Sequence, residues 1–212
     1  MGRLAALWRV ATQWYISALF LAAVGIVVGW AVFFHVFPGK PKIGVIDIPY
    51  TVITDDSAFV ISEFLDYARR NRDIKAVFIR LNSPGGGAAS SEKLFFQMRR
   101  LRDEKPVVIV MNDIVASGGY MMSMGASYLY AKPTSLVGSV GVILSFPGPL
   151  IPNLPDERIV TSGPHKLGGG DRRHWIGLAD QVKQSFGQMV ISQRGEKLRL
   201  SQQELTHARI YA

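Results

Sequence analysis

Hydrophobic and polar positions divide the chain into one long apolar segment near the start and a series of shorter segments with regular spacing. Trp14 to Phe37 runs for 24 residues without Asp, Glu, Lys or Arg. About 20 apolar helical residues span a bilayer core, whereas a cleavable signal peptide has an apolar core of about 7–15 residues and a small-residue cleavage site. No convincing cleavage site follows this segment. We therefore predict a retained transmembrane anchor over residues 12–37, after a short flank over residues 1–11.

After the anchor, segments with strand and helix periodicity alternate along the chain. The predicted strands are Lys42–Ile48, Ile74–Leu81 and Pro106–Met111, and the predicted helices between them are Asp55–Arg70 and Ser90–Arg102. Such alternation implies right-handed crossovers and a mainly parallel sheet covered by helices, which is an α/β fold. Residues 38–212 have the length of one ordinary domain.

Three further segments have a recognisable pattern. His174–Lys197 is predicted to form a long helix that covers the sheet or a neighbouring copy, with core packing as the default. Its apolar residues are Ile176, Leu178, Val182, Phe186, Met189 and Val190. Ser201 to Glu204 is a capping-box signature for one more short helix. The proline-rich apolar run Leu144–Pro152 suits neither a helix nor a central strand, and it is expected to pack between protomers or to line an apolar substrate groove. In the anchor, Gly25 and Gly29 are spaced either for close pairing of two membrane helices or for no specific contact.

The residue types around Ser117 indicate a serine nucleophile. Ser117 stands before two glycines and shortly after an apolar run, and Lys166 follows later in the chain. A serine hydroxyl needs a base, and a desolvated lysine can serve because burial disfavours its charged form. Ligands of open α/β sheets bind beyond the carboxyl ends of strands, where the serine and the glycine-rich turn after Ser83 should both lie. The amides of Gly85, Gly86 and Gly118 are predicted to donate to a developing oxyanion.

Histidine offers an alternative mechanism. His165 or His174 would serve Ser117 in a triad with Asp113 or Asp171. No His-Glu-x-x-His motif or comparable ligand spacing occurs in the sequence, so we predict no metal site and no cofactor. The absence of cysteine excludes disulfides and a cysteine nucleophile.

The charge distribution bears on partners and orientation. The formal net charge is +8, yet the basic residues are spread along the chain, and the two clusters Arg69–Arg72 and Arg99–Arg102 stand at predicted helix ends, so no nucleic-acid partner is predicted. Contact with anionic lipid headgroups fits a tethered basic domain. The basic residues that flank the anchor weakly favour a cytoplasmic N-terminus. We therefore expect a single-pass protein of the cell membrane with its folded domain outside the cytoplasm.

Four motifs, in order along the chain and preceded by the anchor, resemble the signal peptide peptidase A family. These are membrane-anchored serine–lysine peptidases with the fold shared by Clp protease and crotonase. The matching stretches are Asn82-Ser83-Pro84-Gly85-Gly86, Ala116-Ser117-Gly118-Gly119-Tyr120, Gly138-Ser139-Val140-Gly141-Val142 and Ser162-Gly163-Pro164-His165-Lys166.

The resemblance implies roles for individual residues and a mode of assembly. Ser117 would be the nucleophile, Lys166 the general base, and Ser139 a residue that holds the lysine. In that family the lysine can face the serine of a neighbouring protomer, so a homo-oligomeric ring with shared active sites is implied. The implied substrates are signal peptides and other apolar peptides or misfolded proteins of the membrane.

The chain departs from the family pattern at two places. The family often has an acidic residue directly after the lysine, whereas here Leu167 and then Gly168–Gly170 follow. The family normally continues past the position of Ala212 with a glycine, a helix and a strand, so we expect the domain to lack its C-terminal end. Two alternatives stay open: a stomatin-operon-type membrane peptidase with the same dyad, and an inactive oligomeric membrane scaffold of the same fold.

Overall fold

The computed structural model describes residues 2–36, 41–145, 160, 162–163, 165–166 and 168–212. The chain separates into two compact units, Met1–Pro41 and Lys42–Ala212. The first unit is the helix α1, Gly2–Val36, so the flank predicted before the anchor is helical as well. Within it, Thr12–His35 is long and apolar enough to cross a membrane. Phe37, the last residue of the predicted anchor, lies outside the described residues.

The second unit is built on a six-stranded sheet that is mainly parallel. In space the strands follow the order β1, β3, β5, β7, β8, and β6 pairs with the first part of β5 while β7 pairs with its end. Among the strands in the described ranges, only β8 runs antiparallel to its neighbour, and β2 and β4 form a separate parallel pair. The strands are β1 Lys42–Ile48, β2 Val52–Ile53, β3 Ile74–Ser83, β4 Gly85–Gly86, β5 Val107–Ala116, β6 Tyr128–Ala131, β7 Leu136–Gly138 and β8 Ile210–Tyr211.

The helices agree closely with the predicted ones, because the capping signals are local. Thr54 and Ser57 form a capping box at the start of α2, and Ser201 and Glu204 form the predicted one at α6. The helices of this unit are α2 Asp55–Arg70, α3 Ala88–Glu104, α4 Gly118–Ser123, α5 Arg172–Arg194 and α6 Gln202–Leu205, and a 3₁₀ turn, Gly195–Lys197, follows α5.

One face of the sheet makes the core with α2 and α3. Ile46, Ile79 and Ile109 lie in one row across β1, β3 and β5 and are buried. The inner residues of α2 and α3 pack on this face, among them Leu65 and Leu94.

The long helix α5 is buried over only part of its length. Phe186, Gly187 and Val190 are its only buried residues among those the structure describes, and they join a second core cluster. Ile176, near its start, is 46% exposed. The predicted packing on the core is therefore found in the C-terminal half of α5, whereas the N-terminal half is exposed, because helical periodicity does not show where along a helix the core ends.

Candidate functional site

Ser117 has a backbone conformation that side chains seldom adopt. It joins β5 to α4 with φ 49° and ψ −123°. These angles match the first central position of a type II′ turn, which glycine usually occupies, and for another residue they cost about 1–3 kcal/mol. The conformation is held from both sides, since the Ser117 N–H donates to the Gly138 carbonyl (2.8 Å) and the Ser117 carbonyl accepts from the Met121 N–H (2.9 Å). Strain of this kind concentrates at functional sites.

The glycine turn of β4 lies directly against Ser117, as expected for two loops at the carboxyl ends of neighbouring strands. An ideal Cβ on Gly85 would lie 2.7 Å from the Ser117 Cβ and 2.8 Å from the Gly118 nitrogen. Gly85 also has φ +105°, a conformation that disfavours any side chain. Glycine is therefore required at this position for two independent reasons.

Two backbone amides border the serine. The Gly118 N–H stands at the start of α4 and donates to no other residue that the structure describes. The Gly86 nitrogen is 3.3 Å from the point that a Cβ on Gly118 would occupy, so the two glycines are close neighbours. The third predicted donor differs, because the Gly85 N–H donates to the Ser83 hydroxyl at 3.2 Å.

Two buried serines that sequence reasoning did not single out support this arrangement. The Ser83 hydroxyl accepts from the Gly85 N–H and donates to the Thr51 carbonyl at 2.6 Å. The Ser91 hydroxyl donates to the Gly87 carbonyl at 2.7 Å. It also fills the space beside Gly118, where a Cβ would lie 2.1 Å from it. The sequence signal for Ser83 was its place directly before Pro84 and the glycines.

The residues of the alternative triad have other contacts. Asp113 accepts from the Asn82 side-chain amide (3.3 Å), and this pair joins the ends of β3 and β5. The Asp171 side chain caps α5 by accepting from the His174 N–H at 2.8 Å. His165 and His174 line a shallow pocket together with Asp171, and none of the three bonds to Ser117. Each of the two carboxylates that could complete the triad is thus hydrogen-bonded elsewhere.

Among the residues that the structure describes, no hydrogen bond joins Lys166 to Ser117. The Lys166 side chain is exposed and makes no hydrogen bond or ion pair with the part of the chain that the structure describes. Its backbone N–H donates to the Gly163 carbonyl at 3.3 Å. Its neighbours Pro164 and Leu167 lie outside the described residues.

Ser139, by contrast, lies beside the nucleophile. It follows Gly138, whose carbonyl accepts from the Ser117 N–H. It also has a positive φ of 56°, and its N–H donates to the Arg209 carbonyl at 2.8 Å. The segment before β8 therefore holds Ser139, and Gly138 links Ser139 to Ser117.

An apolar pocket lies between the segment after Ser139 and the exposed half of α5. It is lined by Val142, Leu144, Ser145, Trp175, Ile176 and Ala179. The Trp175 indole N–H donates to the Gly168 carbonyl at 3.0 Å, which ties α5 to the loop that follows Lys166. Leu144 and Ser145 thus line an apolar surface, and the rest of the proline-rich run, Phe146–Pro152, lies outside the described residues.

A family model and several curated relatives that match this chain are peptidases. Residues 99–148 match the model of Peptidase family S49, a range that includes Ser117 and Ser139 but neither the glycine turn nor Lys166. Protease 4 from Haemophilus influenzae is 35% identical over 113 residues, which cover 50% of this chain and 18% of that protein. The chloroplastic serine protease SPPA from Arabidopsis thaliana is 38% identical over 93 residues, 42% of this chain and 14% of that protein. A SohB protein from Buchnera aphidicola is 36% identical over 110 residues, 50% of this chain and 31% of that protein.

The chain spans less than a third of the length of each of these three relatives. Among solved structures, a mutant of ClpP1 from Listeria monocytogenes aligns with a TM-score of 0.52 at 13% identity, over 78% of this chain and 80% of that one. This likeness concerns the fold alone and confirms the predicted Clp-like arrangement of a mainly parallel sheet with helices.

Proposed function

We propose that this chain, whose residues 99–148 match peptidase family S49, is a membrane-anchored serine endopeptidase that forms an acyl-enzyme through Ser117. The observation that carries the proposal is the strained turn at Ser117, packed against Gly85 with the free Gly118 N–H beside it. A strand-to-helix turn of this kind exposes a hydroxyl next to backbone donors, which acyl transfer requires.

The proposed reaction has two steps. The Ser117 Oγ attacks the peptide carbonyl and gives its proton to the neutral amine of Lys166, while the Gly86 and Gly118 N–H groups donate to the oxyanion. Lys166 then protonates the leaving amine as the acyl-enzyme forms, and water releases the acyl group by the reverse sequence of proton transfers. Gly85 contributes mainly through its missing side chain, since its N–H is taken by Ser83.

In this proposal Lys166 reaches Ser117 only when oligomer assembly or substrate binding positions the loop that contains Lys166. The exposed Lys166 of one chain would meet Ser117 of the same or of a neighbouring copy in a homo-oligomeric ring, and the Ser139 hydroxyl would accept from its amine and fix its direction. The position of Ser139, one residue after the Gly138 that holds Ser117, supports this role.

Apolar, membrane-associated peptides such as signal peptides are the proposed substrates. The apolar pocket between Leu144 and Trp175 supports the choice, because pockets lined by hydrophobic side chains retain apolar peptide segments. A single-pass anchor in the cell membrane, with the domain outside the cytoplasm, would place the site near such peptides. Lipid headgroups are then the other contact proposed for this basic domain.

The test is cleavage of a fluorogenic signal-peptide substrate by the detergent-solubilised full chain. We expect Ser117→Ala and Lys166→Ala each to lose activity by at least about 1,000-fold, in line with the loss of a member of a catalytic unit. Ser162→Ala, at an exposed serine in the loop of Lys166, should retain activity and is the matched control. A co-expressed mixture of the two inactive variants should recover activity only if the dyad forms between copies.

The same assay separates the alternatives. Activity lost in His165→Ala or His174→Ala but kept in Lys166→Ala would replace the dyad by a triad. No hydrolysis by an assembled wild type, under conditions where the domain is folded, would favour the inactive scaffold, to which the exposed Lys166 lends some support. Co-purification with a stomatin-like protein would favour the stomatin-operon type.

A further inference from the structure

The end of the sheet opposite Ser117 carries a cluster of cationic side chains. The parallel strands β1, β3 and β5 begin there and α2 and α3 end there, because each crossover between parallel strands returns the chain to the same end of the sheet. The cations line one shallow cavity of about 460 Å³, together with Ile74 and Glu104. We call this cluster the basic edge, and its cations are Arg69, Arg70, Arg72, Lys75 and Lys105.

Two of the five cations have structural tasks. The Lys105 amine donates to two carbonyls at the C-terminal end of α2, at 2.6 and 2.7 Å, where backbone oxygens need partners. The Arg69 guanidinium donates to the Asp66 carboxylate at 3.1 Å and to the Glu104 carboxylate at 3.0 Å. These contacts tie the end of α2 to the end of α3.

The charge of the other cations is not balanced within the domain. One carboxylate serves both arginines at the end of α2. Arg72 and Lys75 are exposed, and they make no hydrogen bond or ion pair with any residue in the described ranges. The ion pairs of the five cations involve two carboxylates, Asp66 and Glu104. The basic edge therefore has an excess of positive charge.

The cations are close enough to repel one another. Burial lowers the pKa of the Lys105 amine, and the positive charges of Lys75 and Arg69 lower it further, against the opposing effect of Glu104. Such repulsion destabilises the isolated domain, and a bound anion relieves it. Phosphate suits this cluster in particular, because a planar guanidinium donates two parallel hydrogen bonds to two of its oxygens. The basic edge therefore has the chemistry of a phosphate-binding surface.

We propose that the basic edge binds the phosphate groups of anionic lipid headgroups, a contact that rests on the proposed membrane anchoring and not on hydrolysis. β1 begins at Lys42, six residues after the end of α1. Lys42 pairs with Ile74 in the sheet, so the anchor is attached to the domain at the same end as the basic edge. Basic clusters next to a membrane anchor are attracted to anionic lipid, and each Lys or Arg near the surface strengthens binding by about fivefold.

A lipid surface fits the basic edge better than a soluble phosphate does. Pockets for small ligands are concave and bury most of the ligand. Here Arg70, Arg72 and Lys75 are exposed on an open surface. Several headgroups of a membrane can each meet a different cation, whereas a single small anion meets one or two of them.

The basic edge and the candidate active site lie at opposite ends of the same strands. β3 runs for 10 residues from Ile74, at the basic edge, to Ser83, beside the glycine turn. At about 3.3 Å per residue the two ends are roughly 30 Å apart. Substitutions at the basic edge therefore test the lipid contact without disturbing the surroundings of Ser117.

The test measures the exposure of Lys75 in the full chain on membranes and needs no peptide hydrolysis. The chain is reconstituted into nanodiscs of phosphatidylcholine, either alone or mixed with phosphatidylglycerol, and a water-soluble acylating reagent modifies exposed amines. Mass spectrometry gives the rate at Lys75 and, as an internal reference, at Lys132, which is exposed and follows the carboxyl end of β6. Arg72→Glu is the test variant. Lys93→Glu makes the same change of charge at an exposed position in the first half of α3, and it is the matched control.

We expect phosphatidylglycerol to slow the acylation of Lys75, but not of Lys132, in the wild type and in Lys93→Glu. Arg72→Glu should reduce this protection by about fivefold or more, the scale of one basic residue at an anionic surface, with an unchanged circular dichroism spectrum. Equal rates at Lys75 in the two membranes, or full protection in Arg72→Glu, would refute the lipid contact and leave the proposed function in place.

Two further results would also count against the contact. Inorganic phosphate that protects Lys75 in phosphatidylcholine nanodiscs as well as phosphatidylglycerol does would assign the basic edge to a soluble phosphate. A chain that enters neither membrane would overturn the proposed anchor and the lipid contact with it.

Discussion

Gly85 lies so close to Ser117 that a Cβ on the glycine would come within 2.7 Å of the serine Cβ. The turn that follows β3 and the turn that follows β5 can therefore pack together only because Gly85 has no side chain. Because Gly85 also has φ +105°, no rotation of its backbone makes room for a methyl group without moving the amides around it.

Gly85→Ala should accordingly reduce kcat/KM by about 100-fold or more, the scale of losing one oxyanion donor. Gly87→Ala is the matched control, since a Cβ there would meet nothing closer than 3.4 Å and its φ of −57° suits alanine. Steady-state hydrolysis of the signal-peptide substrate compares the two. Equal activity in both variants would show that the contact between the turns does not matter for catalysis.

Ser117→Gly should be more stable than Ser117→Ala by about 1 kcal/mol, although both lack the nucleophile. Glycine relieves the strain of φ 49°, which outweighs the entropy that it loses on folding. Urea unfolding of the two inactive variants measures the difference. An alanine variant as stable as the glycine variant would mean that the turn is unstrained.

The rate of hydrolysis should rise with pH, because only a neutral lysine amine can accept the serine proton. His165→Ala and His174→Ala should leave this profile unchanged. A rise centred near pH 6.5 that either histidine variant abolishes would instead indicate an imidazole base. The measurement is kcat/KM against pH at constant ionic strength.

Tyr120 predicts a change of stability at alkaline pH. Burial raises the pKa of its phenol, an effect that the nearby Arg194 partly opposes. The folded chain then holds this proton more tightly than the unfolded chain, so the stabilisation is complete below the unfolded pKa of about 10 and is lost as pH rises through the folded value. The free energy of unfolding should fall more steeply above pH 10 in the wild type than in Tyr120→Phe, with little difference at pH 8. Parallel curves would contradict burial of the phenol.

Helical periodicity predicted the bounds of α2. The structure shows the local features at those bounds, namely the capping box of Thr54 and Ser57 at its start and the basic residues Arg69 and Arg70 at its end. The four residues of β6 and the two of β8 form because neighbouring strands are already in place. Their sequences carry too little periodicity to predict them, and the pairing that holds Ser139 was not foreseen for that reason.

The candidate site was predicted in part. The apposition of the glycine turn and Ser117 followed from the carboxyl ends of parallel strands, a rule that needs only the order of elements. The positive φ of Ser117 and of Ser139 depends on hydrogen bonds to Gly138 and Arg209, which lie far away in sequence. Lys166 was inferred as the base from the chemistry of a desolvated amine and from the resemblance, and pairing it with Ser117 is a proposal that the dyad experiment tests.

The half-buried helix α5 has a consequence for control of the enzyme. Its first buried residue is Phe186, so about 20 Å of helix, at 1.5 Å per residue, stands clear of the core before that point. The loop of Lys166 adjoins the free end through the bond from Trp175 to Gly168. If Lys166 is the base, Ser117 is fixed in the core, whereas the base lies in a loop next to the exposed part of α5. A single copy would then be inactive, and dilution of the protein in the membrane would keep it inactive.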